Sequence, residues 1–202
     1  FAGTEALSAG RASGEIRSAA GATRQVEARL TLNGLVAADG NTTLPVANLS
    51  FRALTHPDGR RSVQAPLLLD RAGQRSDLNF SLEMTPAGRG MKVDGRLAGE
   101  HLELDTLLAV LGVFRSASGP APETGGGRVV ADQQAAWSRF TGRLAIDVKS
   151  ANFGPDWKMS GLAGTLDLEP ARLTLAKLEA AFGEKGRLSA KGDVRFAAGA
   201  RP

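Results

Sequence analysis

Along most of this chain apolar and polar residues take turns, and a two-residue period leaves few folds open. It is the mark of strands that bury one face and wet the other. From Arg24 onward Val26, Ala28, Leu30 and Leu32 alternate with Glu27, Arg29 and Thr31. Leu49, Phe51 and Ala53 follow, then Val63, Ala65, Leu67 and Leu69. Leu78, Phe80, Leu82 and Met84 come next, and then Met91, Val93, Gly95 and Leu97. Turn chemistry separates these runs: His56-Pro57-Asp58-Gly59, Arg71-Ala72-Gly73-Gln74 and Thr85-Pro86-Ala87-Gly88. Pro presets φ at such places and Gly accepts positive φ. The pattern predicts an antiparallel meander of strands about 8–10 residues long, roughly 26–34 Å each.

Two stretches break the alternation. In Leu104–Gly112, Leu104, Leu107, Leu108 and Leu111 fall at i, i+3, i+4 and i+7. That spacing predicts a two-turn helix, with Asp105 to cap it and Gly112 to end it. Residues 115–134 are polar and rich in Gly and Pro, the composition of a linker or long loop. Alternation then resumes through Leu144, Ile146 and Val148, through Leu162, Leu166 and Leu168, and through Leu188, Ala190, Gly192, Val194 and Phe196. Trp157 and Met159 are odd-numbered and Leu162 even, so a bulge is expected at Gly161. Gly95-x-Leu97 with Leu102, Leu104 and Leu107 is echoed by Gly164-x-Leu166 with Leu173, Leu175 and Leu178, which reads as a repeated strand–turn–strand unit. Residues 1–23 are dominated by Gly, Ala and Ser and fit either a weakly apolar strand pair or a loose lead-in. The expected organisation is a meander ending in a short helix over 1–114, a linker over 115–134, and further hairpins of the same sheet over 135–202.

Composition narrows the chemistry. The chain has no Cys and two His, so neither a disulfide framework nor a thiolate or multi-histidine metal site is expected. Nucleophile-elbow, zinc-protease and phosphate-loop motifs are absent. Gly125-Gly126-Gly127 reads as linker, because no apolar strand leads into it and no Lys follows. His101 has Glu100, Glu103 and Asp105 nearby, so an enzyme built around it is conceivable; an outward residue at a strand end is the plainer reading. Asp77, Glu83 and Asp94 are expected to keep polar strand faces wet. No catalytic residue, metal or cofactor is assigned. The excess of 25 Lys and Arg over 21 Asp and Glu is spread along the chain, and aromatics are 5%. A nucleic-acid surface usually clusters its cations around aromatics, so no nucleic-acid partner is expected. No apolar run approaches the ~18 residues that span a bilayer. A chain opening on Phe1 reads as a piece of a longer protein.

One-sided strands with few aromatics permit two arrangements. Two apolar faces can pack together as a closed sandwich, acting as a binding or assembly module for envelope proteins. Alternatively, one long curled sheet keeps its apolar face partly open as a trough. Alternation alone does not separate them.

The segments Phe140–Val148, Leu162–Leu168 and Arg172–Ala180, closed by Gly186-Arg187-Leu188-Ser189-Ala190-Lys191-Gly192-Asp193-Val194, resemble the AsmA-like family of bacterial envelope proteins, which includes relatives of TamB. Gly95–Gly99 followed by Leu102–Leu108 resembles the family's strand-then-helix step. The likeness covers residues ~90–197; the first position of the closing motif is often Gly-Gly in the family, whereas Lys185 precedes Gly186 here. The resemblance implies an all-β groove in the periplasm, part of an inner-membrane-anchored protein that moves phospholipid between two membranes or supports outer-membrane biogenesis, and it brings no catalytic residues. The implied partners are phospholipid acyl chains, the inner membrane through a segment outside this chain, and outer-membrane or envelope proteins. The apolar stripe expected to hold the acyl chains is Leu78, Phe80, Leu82, Val93, Leu97, Leu144, Ile146, Val148, Leu166, Leu168, Leu188, Val194 and Phe196.

Overall fold

The computed structural model describes residues 7–37, 43–117, 139–154, 156–183 and 185–195. Ten strands form one sheet in chain order, open at both sides: β1 (Leu7–Ala19), β2 (Arg24–Ala37), β3 (Val46–Thr55), β4 (Arg61–Arg71), β5 (Gln74–Ala87), β6 (Gly90–Glu103), β7 (Phe140–Phe153), β8 (Trp157–Glu169), β9 (Arg172–Phe182) and β10 (Gly186–Arg195). Among the described residues a single helix, α1 (Leu104–Ala117), stands between β6 and β7. The sheet is therefore the expected meander with a short helix, and the described strands do not form a two-layer sandwich. Strands run 10–14 residues, longer than the alternation alone implied.

One pair departs from the antiparallel rule. β6 and β7 run parallel, Leu97 opposite Ile146 and Gly99 opposite Val148. A parallel pair needs a long crossover rather than a tight turn, and α1 with the residues up to Phe140 supplies it. The helix also runs past Gly112, which was expected to end it. A helical Gly costs only about 1 kcal/mol relative to Ala, and the first proline beyond it is Pro120. Residues 115–117, expected in the linker, are thus helical; the rest of that stretch, including Gly125–Gly127, lies outside the described residues. The expected Asp105 cap is instead a tie to the sheet, since Asp105 Oδ2 accepts the Gly154 N–H of the β7–β8 turn at 2.7 Å.

The small-residue N-terminal stretch resolves into β1, paired with β2 from Leu7 opposite Ala37 to Ala19 opposite Gln25. The sequence echo has no structural counterpart: Leu97 and Leu102 share β6 and Leu107 is helical, whereas Gly164 and Leu178 sit on β8 and β9. The tight turns do form as expected. Ala72 and Gly73 take φ of 54° and 85°, the two positive values a two-residue hairpin loop requires. Asp70 clasps this loop, accepting Gly73 N–H at 3.0 Å and Arg75 Nε at 2.9 Å. The Arg75 guanidinium and then the Gly73 amide hold its carboxyl below the usual aspartate range.

The core sits on one side at the middle of the sheet. Leu78, Leu102, Val148, Ala151, Met159, Leu162 and Ala180 are buried together, with Leu104 and Leu107 of α1 packed on them. Each fully buried Leu, Val or Met contributes roughly 1.5–3 kcal/mol. A second cluster, Ala37 and Leu44 with Leu7 and Leu35, receives Ala109 of the same helix. One short helix thus touches both the β5–β9 cluster and the β2–β3 end, so the apolar face bends around it there.

Candidate functional site

Register places the expected lining residues. Directly paired residues share a face, so rows can be followed across the sheet. Leu82 pairs with Gly95, Gly95 with Leu144, Leu144 with Leu166 and Leu166 with Leu175. Phe80, Leu97 and Ile146 form the adjacent row, meeting Gly164 on β8. A third runs Leu67, Leu78, Gly99, Val148, Leu162, then Ala180 and Leu188. A fourth joins Met84, Val93, Gly142, Leu168, Leu173 and Val194. All of the expected stripe lies on one face except Phe196, which is outside the described residues.

That face is not uniform. Leu78, Val93 and Val148 are buried at 7%, 6% and 0% exposure, so they serve as core. Phe80, Leu82, Leu97, Leu144, Ile146, Leu166 and Leu168 are half-buried. Leu188 and Val194 on the last strand are exposed at 40% and 55%. Inward glycines make room for the larger side chains: a Cβ on Gly95 would lie 2.9 Å from Leu144 and 3.0 Å from Leu82. The Leu side chains therefore lean over the glycine and lower the trough floor between them. Apart from α1, contacts run essentially between neighbouring strands.

The structure also builds a polar assembly where β5, β6 and β7 meet. β6 carries one extra residue relative to β5 at Glu100. The alternation shifts in step on the next strands, at Lys149 in β7 and at Gly161 in β8, the last with φ 62° as the phase change predicted. The bulge is clasped from β5: Asp77 Oδ1 accepts both Glu100 N–H and His101 N–H at 2.8 Å. So Asp77, expected only to keep a face wet, satisfies two bulge amides. Asp77→Ala is expected to cost about 1–3 kcal/mol by leaving both without that partner; chemical denaturation reads it, and a loss under about 0.5 kcal/mol would mean water replaces the carboxylate.

His101 stands in the same assembly. Its Nδ1 lies 2.8 Å from Ser150 Oγ and its Nε2 2.6 Å from Glu103 Oε1, which Asn152 Nδ2 also reaches at 2.9 Å. The line Ser150, His101, Glu103 has the residue types of a hydrolase relay; Ser150 Oγ also donates to the Glu100 carbonyl at 2.9 Å. The arrangement pins the parallel seam and the start of α1, with buried Glu103 also donating its N–H to Ser76 Oγ at 2.8 Å. His101 is thus more than an outward strand-end residue. Ser150 and Asn152, about fifty positions away in sequence, escaped notice because only the parallel register brings them alongside.

Beside this assembly a depression of ≈ 630 Å³ opens on the polar face. Pro66, Leu68 and Ala98 line it with two charge pairs, Arg96 with Asp147 and Lys149 with Glu100. Bonding to Glu100, at 2.6 Å, pushes the Lys149 ammonium up from its ordinary value. Leu78 of the apolar stripe borders the hollow as well, with Leu67 and Gly99 of the same row. Among the described residues no group of three or more acidic or His side chains is placed to hold a metal, and no helix is long and apolar enough to cross a membrane.

Fold and site together define an open, single-layer β-sheet with one continuous apolar face, plugged at one end by a short helix and fastened at its seam by polar side chains. Comparison with protein-family models, with curated proteins and with solved structures finds no match for the chain.

Proposed function

We propose that this chain is a segment of a periplasmic apolar β-groove that carries phospholipid acyl chains between the inner and outer membranes, the role its resemblance to AsmA-like proteins implies. The observation that carries the reading is the single layer of strands. Four apolar rows cross β5 to β9, shifted in register between β8 and β9, and among the described residues α1 packs on their buried cluster while no second sheet of strands covers them. Acyl chains lie against Leu82, Leu144 and Leu166 while head groups stay in water. Each CH₂ removed from water contributes about 0.8 kcal/mol, without sequence-like specificity for one chain. No side chain is assigned a catalytic part, and passage along the stripe is passive. A link to the inner membrane through a segment outside this chain, and contact with outer-membrane or envelope proteins, belong to the same proposal.

The test is mass spectrometry of lipid retained by the gently isolated protein, followed by exchange against vesicles of phosphatidylethanolamine and phosphatidylglycerol carrying a fluorescent acyl chain. Retained phospholipid and uptake of the label are expected. Protein that is folded, lipid-free and inert towards the vesicles would overturn the reading and leave an assembly module.

A further inference from the structure

Where β7, β8 and β9 meet the start of α1, the apolar face ends in aromatic rings that stand in water. Ala151 and Met159, paired across β7 and β8, are buried at 0% and 8% exposure. Two residues nearer the turn and on the same face, Phe153 and Trp157 stand opposite each other at 44% and 56%. Met159 pairs on its other side with Phe182, whose ring centroid lies 5.0 Å from that of Trp157 with the planes tilted by 45°. No other aromatic side chain is exposed among the described ones, so the exposed rings of the sheet are gathered at this one margin.

Cations share the margin from the opposite face. Lys158 pairs with Asn152 and Arg187 with Ala181, in the polar rows, and Lys185 lies in the β9–β10 turn; all three are exposed. Against these three the two turns carry Asp156 and Glu184. The β7–β8 turn is also anchored, because Gly154 donates its N–H to Asp105 Oδ2 at the start of α1 at 2.7 Å. The margin is thus a fixed amphipathic rim, with rings on the trough side and cations on the other. Trp suits a place where one end of the side chain is apolar and the other wet, and the boundary between headgroups and acyl chains is such a place. Cations beside an inserted ring meet the phosphate groups of the same layer.

We propose that this rim docks the sheet on a phospholipid bilayer, with Phe153 and Trp157 seated at the headgroup–acyl boundary and Lys158, Lys185 and Arg187 among anionic headgroups. The rings supply most of the attraction, since two acids offset two of the three cations. The inference rests on the rim alone and does not require that the trough carry acyl chains.

The experiment uses the full chain and vesicles of phosphatidylethanolamine with phosphatidylglycerol. The second tryptophan, Trp137, is changed to Phe so that Trp157 alone reports. On adding vesicles its emission is expected to move to shorter wavelength. Bromine atoms near the carbonyl end of the acyl chain should quench it more than bromine near the methyl end, as a shallow seat requires. In Phe153→Ser/Trp157→Ser the lipid needed for half-maximal co-sedimentation is expected to rise about tenfold or more, which is about 1.4 kcal/mol. Lys158→Glu/Lys185→Glu, and vesicles of phosphatidylcholine alone, are expected to weaken binding less. Circular dichroism confirms that each variant folds, and the emission of Trp157 tests the seat without altering the rim. Co-sedimentation and emission do not depend on uptake of acyl chains, so this inference and the lipid-carrying reading fail separately. The proposal is overturned if Trp157 is neither shifted nor quenched, or if Phe153→Ser/Trp157→Ser binds vesicles as the parent does. It is equally overturned if the parent self-associates and that variant is monomeric, which would assign the rim to a second copy of the chain.

Discussion

Gly142→Ala is expected to break the sheet at its parallel seam. Gly142 lies on β7 opposite Val93 with φ of 149°, and a Cβ there would sit 1.8 Å from the Val93 carbonyl oxygen and 2.7 Å from its carbonyl carbon. The obstacle is backbone, so no side-chain rotation relieves it. Either β6 and β7 separate locally or the strand twists out of register, and the seam carries the buried Val93 and Val148. Strain of this kind together with lost packing costs about 3–5 kcal/mol, a large share of the roughly 5–15 kcal/mol that holds a typical domain together. Gly192→Ala is the matched control: it is a strand glycine whose Cβ meets nothing within 4 Å, and its expected effect is within about 0.5 kcal/mol. Urea denaturation of the two variants side by side decides it. A Gly142→Ala protein within about 1 kcal/mol of the parent would mean the seam is looser than the register indicates.

The strands were legible because the period is two and each turn carries its own chemistry. Wherever apolar and polar residues alternate cleanly, as from Leu78 to Met84, one face is buried and the other wet, and a register slip would invert both. What escaped the sequence has a common cause. β1 has too few apolar residues to show a period at all; its place comes from pairing with β2. The parallel β6–β7 pair is decided by a crossover, and alternation is blind to strand direction. Gly161 betrayed its bulge because Met159 and Leu162 differ in parity and a glycine stands between them. The same shift at Glu100 was hidden by the helical spacing that begins at Leu104, and at Lys149 it was muted by the small Ala151. Gly112 is a sound stop signal in isolation, yet about 1 kcal/mol is readily outweighed when residues on both sides favour the helix.

The candidate site divides along the same line. The stripe needed only parity, so the described members fall on one face. Parity says nothing of depth, and Leu78, Val93 and Val148 proved to be core while Leu188 and Val194 proved to be edge. The Asp77, His101, Glu103, Ser150 and Asn152 assembly depends on long-range register, and no local signal joins Ser150 to His101. Its hydrogen bonds go mainly to backbone and to each other. A parallel seam with a bulge exposes amides that side chains must satisfy, and Asp77 and Ser76 do so at Glu100, His101 and Glu103.

A graded series of aspartate substitutions separates stability from lipid handling on the apolar face. Val148→Asp puts a carboxylate at a position with 0% exposure, inside the cluster formed with Leu102, Ala151 and Leu162. No cation is among those neighbours, so the charge is unpaired and the expected loss is about 4–5 kcal/mol, seen as insoluble or unfolded protein. Leu166→Asp differs in depth alone. Leu166 is half-buried, lies between Leu144 and Leu175, and is not a member of the buried cluster. Its carboxylate reaches water from the open side, so the fold is expected to survive with a loss of roughly 1–2 kcal/mol. Ile146→Asp falls between them, because Ile146 is half-buried and packs against the cluster. If acyl chains lie on this face, Leu166→Asp loses retained phospholipid and vesicle uptake while its circular dichroism matches the parent. A charge in the path costs more than the ~0.8 kcal/mol gained from any one CH₂, so uptake should drop well before stability does. Should Leu166→Asp unfold as readily as Val148→Asp, the stripe is closed core throughout. Should it fold and still take up lipid, the lipid travels elsewhere.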